Sequence, residues 1–218
     1  MIRSCAAALS AAAYHRLGLK KLVTSRYRAS WFFSMQSATD TSTIYHLETC
    51  DRHIECPKAA PPEFRLVKMA PPDAAINTQM YRSVGADWEW TDRLCWSKES
   101  WREYVCRESL QTYVGYLHGR RAGYFELESR VKGNVEIAYF GLLPEYIGQG
   151  LGGVLLTAAM KHAWEIPSTR RLWVHTCTKD HKYALENYRK RGFKVFKVEQ
   201  QGRSLEEGLS ILRDGKTF

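Results

Sequence analysis

The amino-acid sequence predicts a mixed α/β (α+β) fold in which helices flank a central mixed β-sheet, over residues 64–200. Two observations predict this class. Short apolar or alternating segments, typical of strands, are interspersed with longer segments of helical periodicity. Their order is strand, two helices, three strands, then helix, strand, helix and strand. This order predicts an antiparallel first half and a βαβ second half with helical crossovers.

Capping and turn residues mark the elements of the first half. FRLVKM (64–69) alternates as a strand does, and prolines follow it. Asp73 and Ser97 are suitable N-cap residues for the two helices that come next. LQTYVGYLHGRRAGYFELES contains two strand-like segments joined by a tight turn at residues 118–121. The sequence therefore predicts a β-hairpin after the second helix.

The second half begins with VEIAYFGLL (135–143), which is apolar on both faces for much of its length. That pattern predicts a strand at the centre of the sheet. GVLLTAAMKHAWEI predicts a helix that ends near Pro167, and RRLWVHTC (170–177) predicts another buried strand. KYALENYRKRG predicts a helix followed by Gly192. FKVFKVEQ (193–200) predicts a final alternating strand.

The chain outside this domain differs in composition. Residues 1–34 are rich in Ala, Ser and Arg and contain no Asp or Glu. This composition is typical of a mitochondrial transit peptide, and a disordered basic tail is the alternative. Translation from Met35 would give a cytoplasmic form. Residues 35–63 are polar and irregular, which predicts a linker, and residues 201–218 predict a polar C-terminal tail.

The net charge of +9 is concentrated at the N-terminus. Six Arg and Lys lie in residues 1–34, which leaves +3 for the remaining 184 residues. Such a small surplus does not predict a phosphate-binding face, so no nucleic-acid partner is expected. No apolar stretch approaches the roughly 20 residues that a membrane-spanning helix needs. The sequence predicts no membrane partner.

The cysteine pattern predicts neither a zinc site nor a disulfide framework. The six cysteines are Cys5, Cys50, Cys56, Cys95, Cys106 and Cys177. None forms a CxxC, and no His/Cys quartet has zinc spacing. We therefore expect no metal and reduced, buried thiols, with a Cys50–Cys56 pair as the alternative.

A glycine-rich turn lies between the central strand and the following helix, in PEYIGQGLGGVLL (144–156). Its four glycines are Gly148, Gly150, Gly152 and Gly153. Glycine costs about 1 kcal/mol relative to alanine inside a helix, so four of them need a reason. Free N–H groups at a helix N-terminus attract phosphate, and glycine lets the phosphate approach the backbone. The turn therefore predicts a phosphate site, and the alternative is a tight turn that packs the helix on the sheet.

The identity of the phosphate ligand follows from the context of the turn. No Gly-Lys-Ser/Thr is present, so the turn is not a P-loop. The dinucleotide fingerprint requires the turn at the first strand of a βαβ unit, whereas here three hairpin-ordered strands precede it.

The frame Ile147-Gly148-Gln149-Gly150-Leu151-Gly152 resembles the signature of the GNAT superfamily of N-acetyltransferases. That signature is Arg or Gln, two residues, Gly, one residue and Gly or Ala, between the fourth strand and the next helix. The resemblance covers residues 64–200 as an order of elements and is specific over EIAYFGLLPEYIGQGLGGVLL and ALENYRKRGFK. It is greatest to a group of bacterial GNAT proteins with WxWxDR and AYFGLLPE stretches. This chain departs from the signature at Ile147, so pyrophosphate binding would depend on backbone N–H groups alone.

The resemblance implies a GNAT acyl-CoA N-acyltransferase fold and transfer of an acetyl group from acetyl-CoA, as co-substrate, to a primary amine. It implies direct attack without a covalent acyl-enzyme, and a homodimer is possible. The cofactor-binding residues that it implies are Leu142, Leu143, Gly148, Gln149, Gly150, Leu151, Gly152, Gly153 and Asn187. Either Leu142 N–H or Leu143 N–H would stabilise the oxyanion. A non-catalytic acyl-CoA-binding regulatory module of the same fold is the alternative.

The resemblance also implies two catalytic residues. Glu136 lies where some protein-lysine acetylating members carry a glutamate, and its apolar strand is expected to raise its pKa toward neutrality, as a general base requires. Tyr188 matches the tyrosine that protonates the leaving thiolate in many members. The alternatives are a solvent-facing Glu136, His175 as the base, and a packing role for Tyr188. Cys177, two residues from His175 on one strand face, offers a covalent route as a further alternative.

The segment GADWEWTDRLCW is expected to contact the acceptor, because in this superfamily the first two helices and their loop cover the acceptor pocket. Trp88, Trp90 and Asp92 would bind a cationic amine by cation–π and Coulomb attraction. The alternative is that the tryptophans close the core, which we favour for Trp96. The acceptor would be a small-molecule or peptide amine.

Overall fold

A computed structural model describes residues 41–54 and 59–201. Within these ranges, four α-helices flank one seven-stranded mixed sheet, which confirms the predicted fold class. The strands are β1 (Ser42–Thr49), β2 (Phe64–Lys68), β3 (Leu110–Leu117), β4 (Arg120–Arg130), β5 (Asn134–Leu142), β6 (Arg171–Cys177) and β7 (Lys194–Gln201). The helices are α1 (Ala74–Gly85), α2 (Lys98–Val105), α3 (Leu151–Glu165) and α4 (Ala184–Arg189).

The strand order is β2-β3-β4-β5-β6-β1-β7. All neighbouring strands are antiparallel except β5 and β6, which are parallel. The crossover between these two strands contains α3, as a parallel pair requires. β5 lies at the centre of the sheet, which confirms the expectation from its apolar sequence.

The prediction that residues 35–63 form a linker is wrong for residues 42–49. These residues form β1, which pairs antiparallel with β6 on one side and with β7 on the other. Leu47 is fully buried in the core. The polar Ser and Thr residues of β1 are typical of a linker. The strand could not be recognised from this stretch alone, because its backbone partners in β6 lie more than a hundred residues away in sequence.

Local signals placed several other elements correctly. The Asp73 carboxylate accepts hydrogen bonds from Ala75 N–H and Ile76 N–H, so it caps α1. The Ser97 hydroxyl accepts from Ser100 N–H at the start of α2. The helix expected in KYALENYRKRG is short, and β7 extends one residue into the predicted tail.

The helices pack on opposite faces of the sheet. Phe125 of β4 contacts the core beneath α3, together with Leu155 and Met160. The neighbouring Tyr124 faces the other side, where it packs against Met80 and other residues of α1. α1 and α2 lie over β3, β4 and β5. The central strands are thus covered on both faces, which explains the apolar sequence of β5.

Several predictions concern residues that the structure does not describe. The predicted transit peptide (1–34) lies outside the described ranges, as do Cys56 and the tail from residue 202 onward. No helix within the described ranges is long and apolar enough to cross a membrane. Cys50, Cys95 and Cys106 are free and exposed, so the expectation of buried thiols is wrong for these three.

Candidate active site

β5 and β6 separate near the middle of the sheet. Their parallel pairing runs from the Asn134/Arg171 pair to the Ile137/Val174 pair. Beyond this point β5 stays with β4, past a bulge between Ile137 and Tyr139, while β6 continues along β1. We call the space between residues 138–142 and 175–177 the β5–β6 gap. Backbone groups of β5 that face this gap are available to a ligand.

One such group is the N–H of Leu142. The N–H of Leu143 donates to the carbonyl of Ala122 at 2.9 Å, so it is already used within the sheet. Successive N–H groups point to opposite edges of a strand, and Leu142 N–H therefore points away from β4 and into the β5–β6 gap. Of the two N–H groups that the resemblance implies as oxyanion donors, that of Leu143 is used within the sheet and that of Leu142 faces the gap.

The glycine turn leads from the end of β5 into α3. Gly148 and Gly150 have φ of +83° and +79°, a conformation that glycine adopts without strain. Nothing lies within 4 Å of a Cβ built on Gly148, and only Leu142 lies near one built on Gly152. Among the described residues no side chain caps α3, and its first turn holds no acidic residue. The first N–H groups of α3 are therefore open to an anion.

The other residues that were predicted to bind the cofactor make contacts within the protein. The Gln149 side chain donates to the carbonyl of Glu145 at 2.7 Å and so closes the turn. Leu151 is buried in the core. A Cβ on Gly153 would lie 2.4 Å from Nη2 of Arg191, the far end of a flexible side chain. The side-chain oxygen of Asn187 accepts a hydrogen bond from the same arginine.

Glu136 is buried and ion-paired. Arg130 Nη2 lies 2.8 Å from its Oε2, and His175 Nδ1 lies 3.7 Å from its Oε1. Burial raises the pKa of Glu136, but the contacts with His175 and Arg130 outweigh it and leave the pKa below its usual value. The expectation of a raised pKa is therefore wrong. An apolar strand sequence does not reveal that a guanidinium lies opposite.

His175 lies on the accessible side of this pair, since its side chain is 48% exposed and that of Glu136 only 7%. The adjacent Glu136 carboxylate raises the pKa of His175 and outweighs burial, which lowers it. Asp180 and Asp92 add smaller electrostatic contributions in the same direction. Sequence reasoning missed Asp180, whose carboxylate accepts from Cys177 N–H just after β6.

Tyr188 packs edge-on against Phe140 of β5, with ring centroids 6.2 Å apart. Burial raises the pKa of its phenol, and the charge of Asp180 adds to the effect. The phenol is thus held in its protonated form beside the strand that borders the β5–β6 gap. Burial and Asp180 also raise the pKa of the Cys177 thiol, which disfavours Cys177 as a nucleophile.

This geometry agrees with what a family model shows. The model described as Acetyltransferase (GNAT) family matches residues 77–193, more than half of the chain. The chain belongs to this family. No curated protein matches it in sequence.

Solved GNAT structures share the fold. A GCN5-related N-acetyltransferase from Kribbella flavida has 16% identity and a TM-score of 0.53, with 73% of this chain and 57% of that chain covered. A GCN5-related N-acetyltransferase from Sphaerobacter thermophilus has 15% identity and a TM-score of 0.57, with 74% of this chain and 52% of that chain covered. A tandem GNAT protein from the clavulanic acid biosynthesis pathway has 17% identity and a TM-score of 0.53, with 76% of this chain and 55% of that chain covered. This chain thus spans little more than half the length of these proteins.

The segment of this GNAT chain that was expected to contact the acceptor has mixed roles. Asp92 is exposed, and its two carboxylate oxygens accept hydrogen bonds from Tyr81 and Tyr139, each at 2.7 Å. Trp88 is half-buried and meets His181 edge-on. Trp90 instead packs against Gly85, where a Cβ would lie 2.5 Å from it, and against Tyr139. The structure therefore gives Trp90 a packing role.

A buried polar cluster that sequence reasoning missed supports Asp92. The Arg93 guanidinium lies over the rings of Tyr104 and Tyr139, 3.8 Å and 4.3 Å from their centroids. Its Nη1 lies 3.7 Å from Glu126, which is fully buried and accepts from the Tyr104 hydroxyl at 2.6 Å. Nε of Arg93 lies 3.6 Å from Oδ2 of Asp92, so the cluster adjoins the carboxylate that the two tyrosine hydroxyls hold. Trp96 packs against this cluster, which confirms the favoured interpretation.

Proposed function

We propose that this chain is an acetyl-CoA-dependent N-acetyltransferase that transfers the acetyl group to a primary amine by direct attack. One observation carries the proposal: the β5–β6 gap opens beside the uncapped, glycine-lined N-terminus of α3. Membership of the acetyltransferase family supports acyl transfer as the reaction class. The gap suits a thioester, and the helix N-terminus suits phosphate groups carried at the other end of the same molecule.

The thioester would bind along β5, with its phosphates on residues 148–153. Gly148 and Gly152 leave space at the backbone there, and Gly150 has a φ that glycine adopts without strain. We propose that Leu142 N–H donates to the carbonyl oxygen of the acetyl group as negative charge develops on it. A backbone donor placed in this way stabilises the tetrahedral intermediate more than the ground state.

We propose that His175 accepts the proton of the attacking amine and that Glu136 positions it. His175 is the more exposed member of the pair, and the lowered pKa of Glu136 makes that carboxylate a poor base at neutral pH. The ammonium group first loses one proton to water; the neutral amine nitrogen then forms the new bond to the acetyl carbon, and the proton that becomes acidic on this nitrogen passes to His175. As the C–S bond breaks, the thiolate takes the phenol proton of Tyr188. Exchange with solvent returns both groups to their starting states.

We propose a cationic amine as the acceptor. The Asp92 carboxylate is exposed yet held by two tyrosine hydroxyls, so it is preorganised to attract an ammonium group. The ring of the half-buried Trp88, four residues earlier in the chain, would offer a face to the same charge. A small polyamine, an aminoglycoside-like amine and a lysine-containing peptide all have the required charge, and an acceptor screen would distinguish them.

The test combines calorimetric titration with acetyl-CoA and measurement of thiol release with these three amine classes. The full chain and a Gly150→Glu variant are compared, because a glutamate there would repel phosphates and strain a φ of +79°. We expect saturable binding and amine-dependent thiol release, both lost in the variant. Binding without thiol release for any amine would instead indicate the non-catalytic acyl-CoA-binding module. Absence of binding would overturn the proposal.

A further inference from the structure

Two loops meet across the opening of the β5–β6 gap. The loop between α1 and α2 is fixed to the β5 side, because the Tyr139 hydroxyl donates to Asp92 at 2.7 Å. The second loop, residues 178–183, follows β6 directly. Lys179 Nζ lies 2.6 Å from Oε2 of Glu89 and so joins the second loop to the first. The joined loops therefore span the gap on the face of the sheet where Tyr139 packs with α1 and α2.

A ring contact links the same two loops. Trp88, beside Glu89 in the first loop, meets His181 of the second loop edge-on, with ring centroids 5.4 Å apart. We call this contact and the Glu89–Lys179 pair the loop bridge. An acceptor that approaches His175 from this face either passes beneath the loop bridge or parts it. A narrow, unbranched chain can pass beneath, whereas a molecule built of several rings requires the bridge to part.

Two carboxylates border this opening, one on each loop. On the first loop, Asp92 accepts hydrogen bonds from two tyrosine hydroxyls. On the second loop, Asp180 accepts from the Thr176 hydroxyl at 2.7 Å and from Cys177 N–H at 2.9 Å. These four donors hold the two carboxylates in place and carry no positive charge.

The cations that lie near these carboxylates also contact other acids. Arg93 Nε lies 3.6 Å from Asp92, but Nη1 of the same guanidinium lies 3.7 Å from the buried Glu126. Two carboxylates therefore share one guanidinium. Lys179 is paired with Glu89 in the loop bridge. The opening thus attracts positive charge, as the proposed cationic acceptor requires.

Negative charge at this opening has opposite effects on a nitrogen that reacts and on one that does not. The contact with Glu136 has the largest effect on the pKa of His175, and the charges of Asp180 and Asp92 raise it further, so both act at the place where the amine is deprotonated. A carboxylate stabilises an ammonium and opposes its deprotonation, yet the attacking nitrogen must be neutral. Two carboxylates here therefore suit an acceptor with a second nitrogen that stays charged.

We infer that the acceptor is a linear diamine or polyamine, an unbranched chain that passes beneath the loop bridge while Asp92 and Asp180 hold its second ammonium group. This inference rests on the proposed function and selects one of the three amine classes named there. The attacking nitrogen gives its proton to His175 as proposed, and the second nitrogen keeps its proton throughout. Several-ring amines and lysine side chains of peptides are then poor acceptors.

The first test compares kcat/KM for thiol release by the full chain with four amines: diaminobutane, butylamine, a lysine capped at both ends and an aminoglycoside. Butylamine and the capped lysine are as narrow as the diamine but carry one charge. We expect kcat/KM to be about tenfold or more higher for the diamine than for either, because each lacks a charge-assisted hydrogen bond. Equal values for diaminobutane and butylamine would overturn the inference.

The second test measures the ratio of kcat/KM for diaminobutane to that for butylamine in Asp180→Asn and in an Asp87→Asn control. The asparagine oxygen can still accept from Cys177 N–H, and Asp87 is an exposed acid on the first loop. We expect the ratio to fall about tenfold in Asp180→Asn and to stay the same in Asp87→Asn. A general loss of structure lowers both rates and leaves the ratio unchanged, and an unchanged ratio in Asp180→Asn would overturn its role.

The third test opens the loop bridge with Glu89→Ala and uses Glu103→Ala, exposed on α2, as the control. The quantity measured is kcat/KM for the aminoglycoside relative to diaminobutane. We expect it to rise about two- to fivefold in Glu89→Ala, the range that an exposed ion pair accounts for, and to stay constant in Glu103→Ala. The same value in both variants would overturn the role of the bridge.

These outcomes separate the inference from the proposed function. If the unaltered chain releases no thiol with any of the four amines, both fail. If it acetylates the capped lysine or the aminoglycoside as well as the diamine, the inference alone fails and the acetyltransferase proposal stands.

Discussion

The Glu136 carboxylate and the His175 imidazole face each other where β5 and β6 separate, with Oε1 3.7 Å from Nδ1. In the parallel pairing of the two strands Glu136 lies opposite Trp173, and the pairing ends one residue further, where Ile137 lies opposite Val174. The buried carboxylate is held from behind by Arg130, and the imidazole is the exposed partner. This relationship assigns different roles to the two candidate bases and makes them separately testable.

We expect His175→Gln to lower kcat with an amine acceptor by about 10²- to 10⁴-fold, the usual contribution of a general base. Binding of acetyl-CoA should be unchanged, because His175 is not among the residues proposed to hold it. His162→Gln, on α3 and paired with Glu165, is the matched control and should retain full activity. Steady-state kinetics and calorimetry check both expectations. An unchanged kcat in His175→Gln would exclude it as the base.

We expect the pH dependence of kcat/KM to identify the same pair. Only neutral His175 accepts a proton, and Glu136 raises the His175 pKa, so activity should increase with pH through a midpoint above the usual histidine pKa of about 6.5. Glu136→Gln removes that carboxylate and should move the midpoint to lower pH. The ionisation of the acceptor is common to both proteins, so the difference reports on His175. Superimposable profiles would contradict the assignment.

We expect Arg93→Met to lower the free energy of unfolding by about 3 kcal/mol, the cost of leaving one member of a buried ion pair uncompensated. Burial already raises the pKa of Glu126, despite the opposing charge of Arg93. Arg93→Lys keeps the charge but loses planar stacking on Tyr104, so an intermediate value is expected. Arg82→Met, exposed at the end of α1, is the control. Urea denaturation measures all three, and equal stability of Arg93→Met and Arg82→Met would refute the role of the cluster.

The position of β1 predicts that Leu47→Ala destabilises the protein by about 3 kcal/mol, within the range for a fully buried leucine. A linker residue would show no such effect. Thr41→Ala, exposed just before β1, should change stability little. The free energies of unfolding of the two variants can be compared by urea denaturation. Similar values would mean that β1 is not part of the cooperative core.

Much of the fold could be predicted because its signals are local. The caps at Asp73 and Ser97 depend on a side chain and N–H groups two or three residues away. The glycine turn is recognisable because φ of +83° and +79° requires a particular residue type at Gly148 and Gly150. The two-sided apolar pattern of β5 indicated its central place. Each signal lies within a short stretch of chain, so no knowledge of distant partners was needed.

The sequence by itself therefore determined the fold class, most of the elements and the location of the glycine turn. Only the tertiary structure decided which distant groups meet. It placed β1 between β6 and β7, and His175 and Arg130 against Glu136. The contacts with His175 and Arg130 reverse the expected pKa shift of Glu136. Charge and burial act through space, so their effects appear only when the chain has folded.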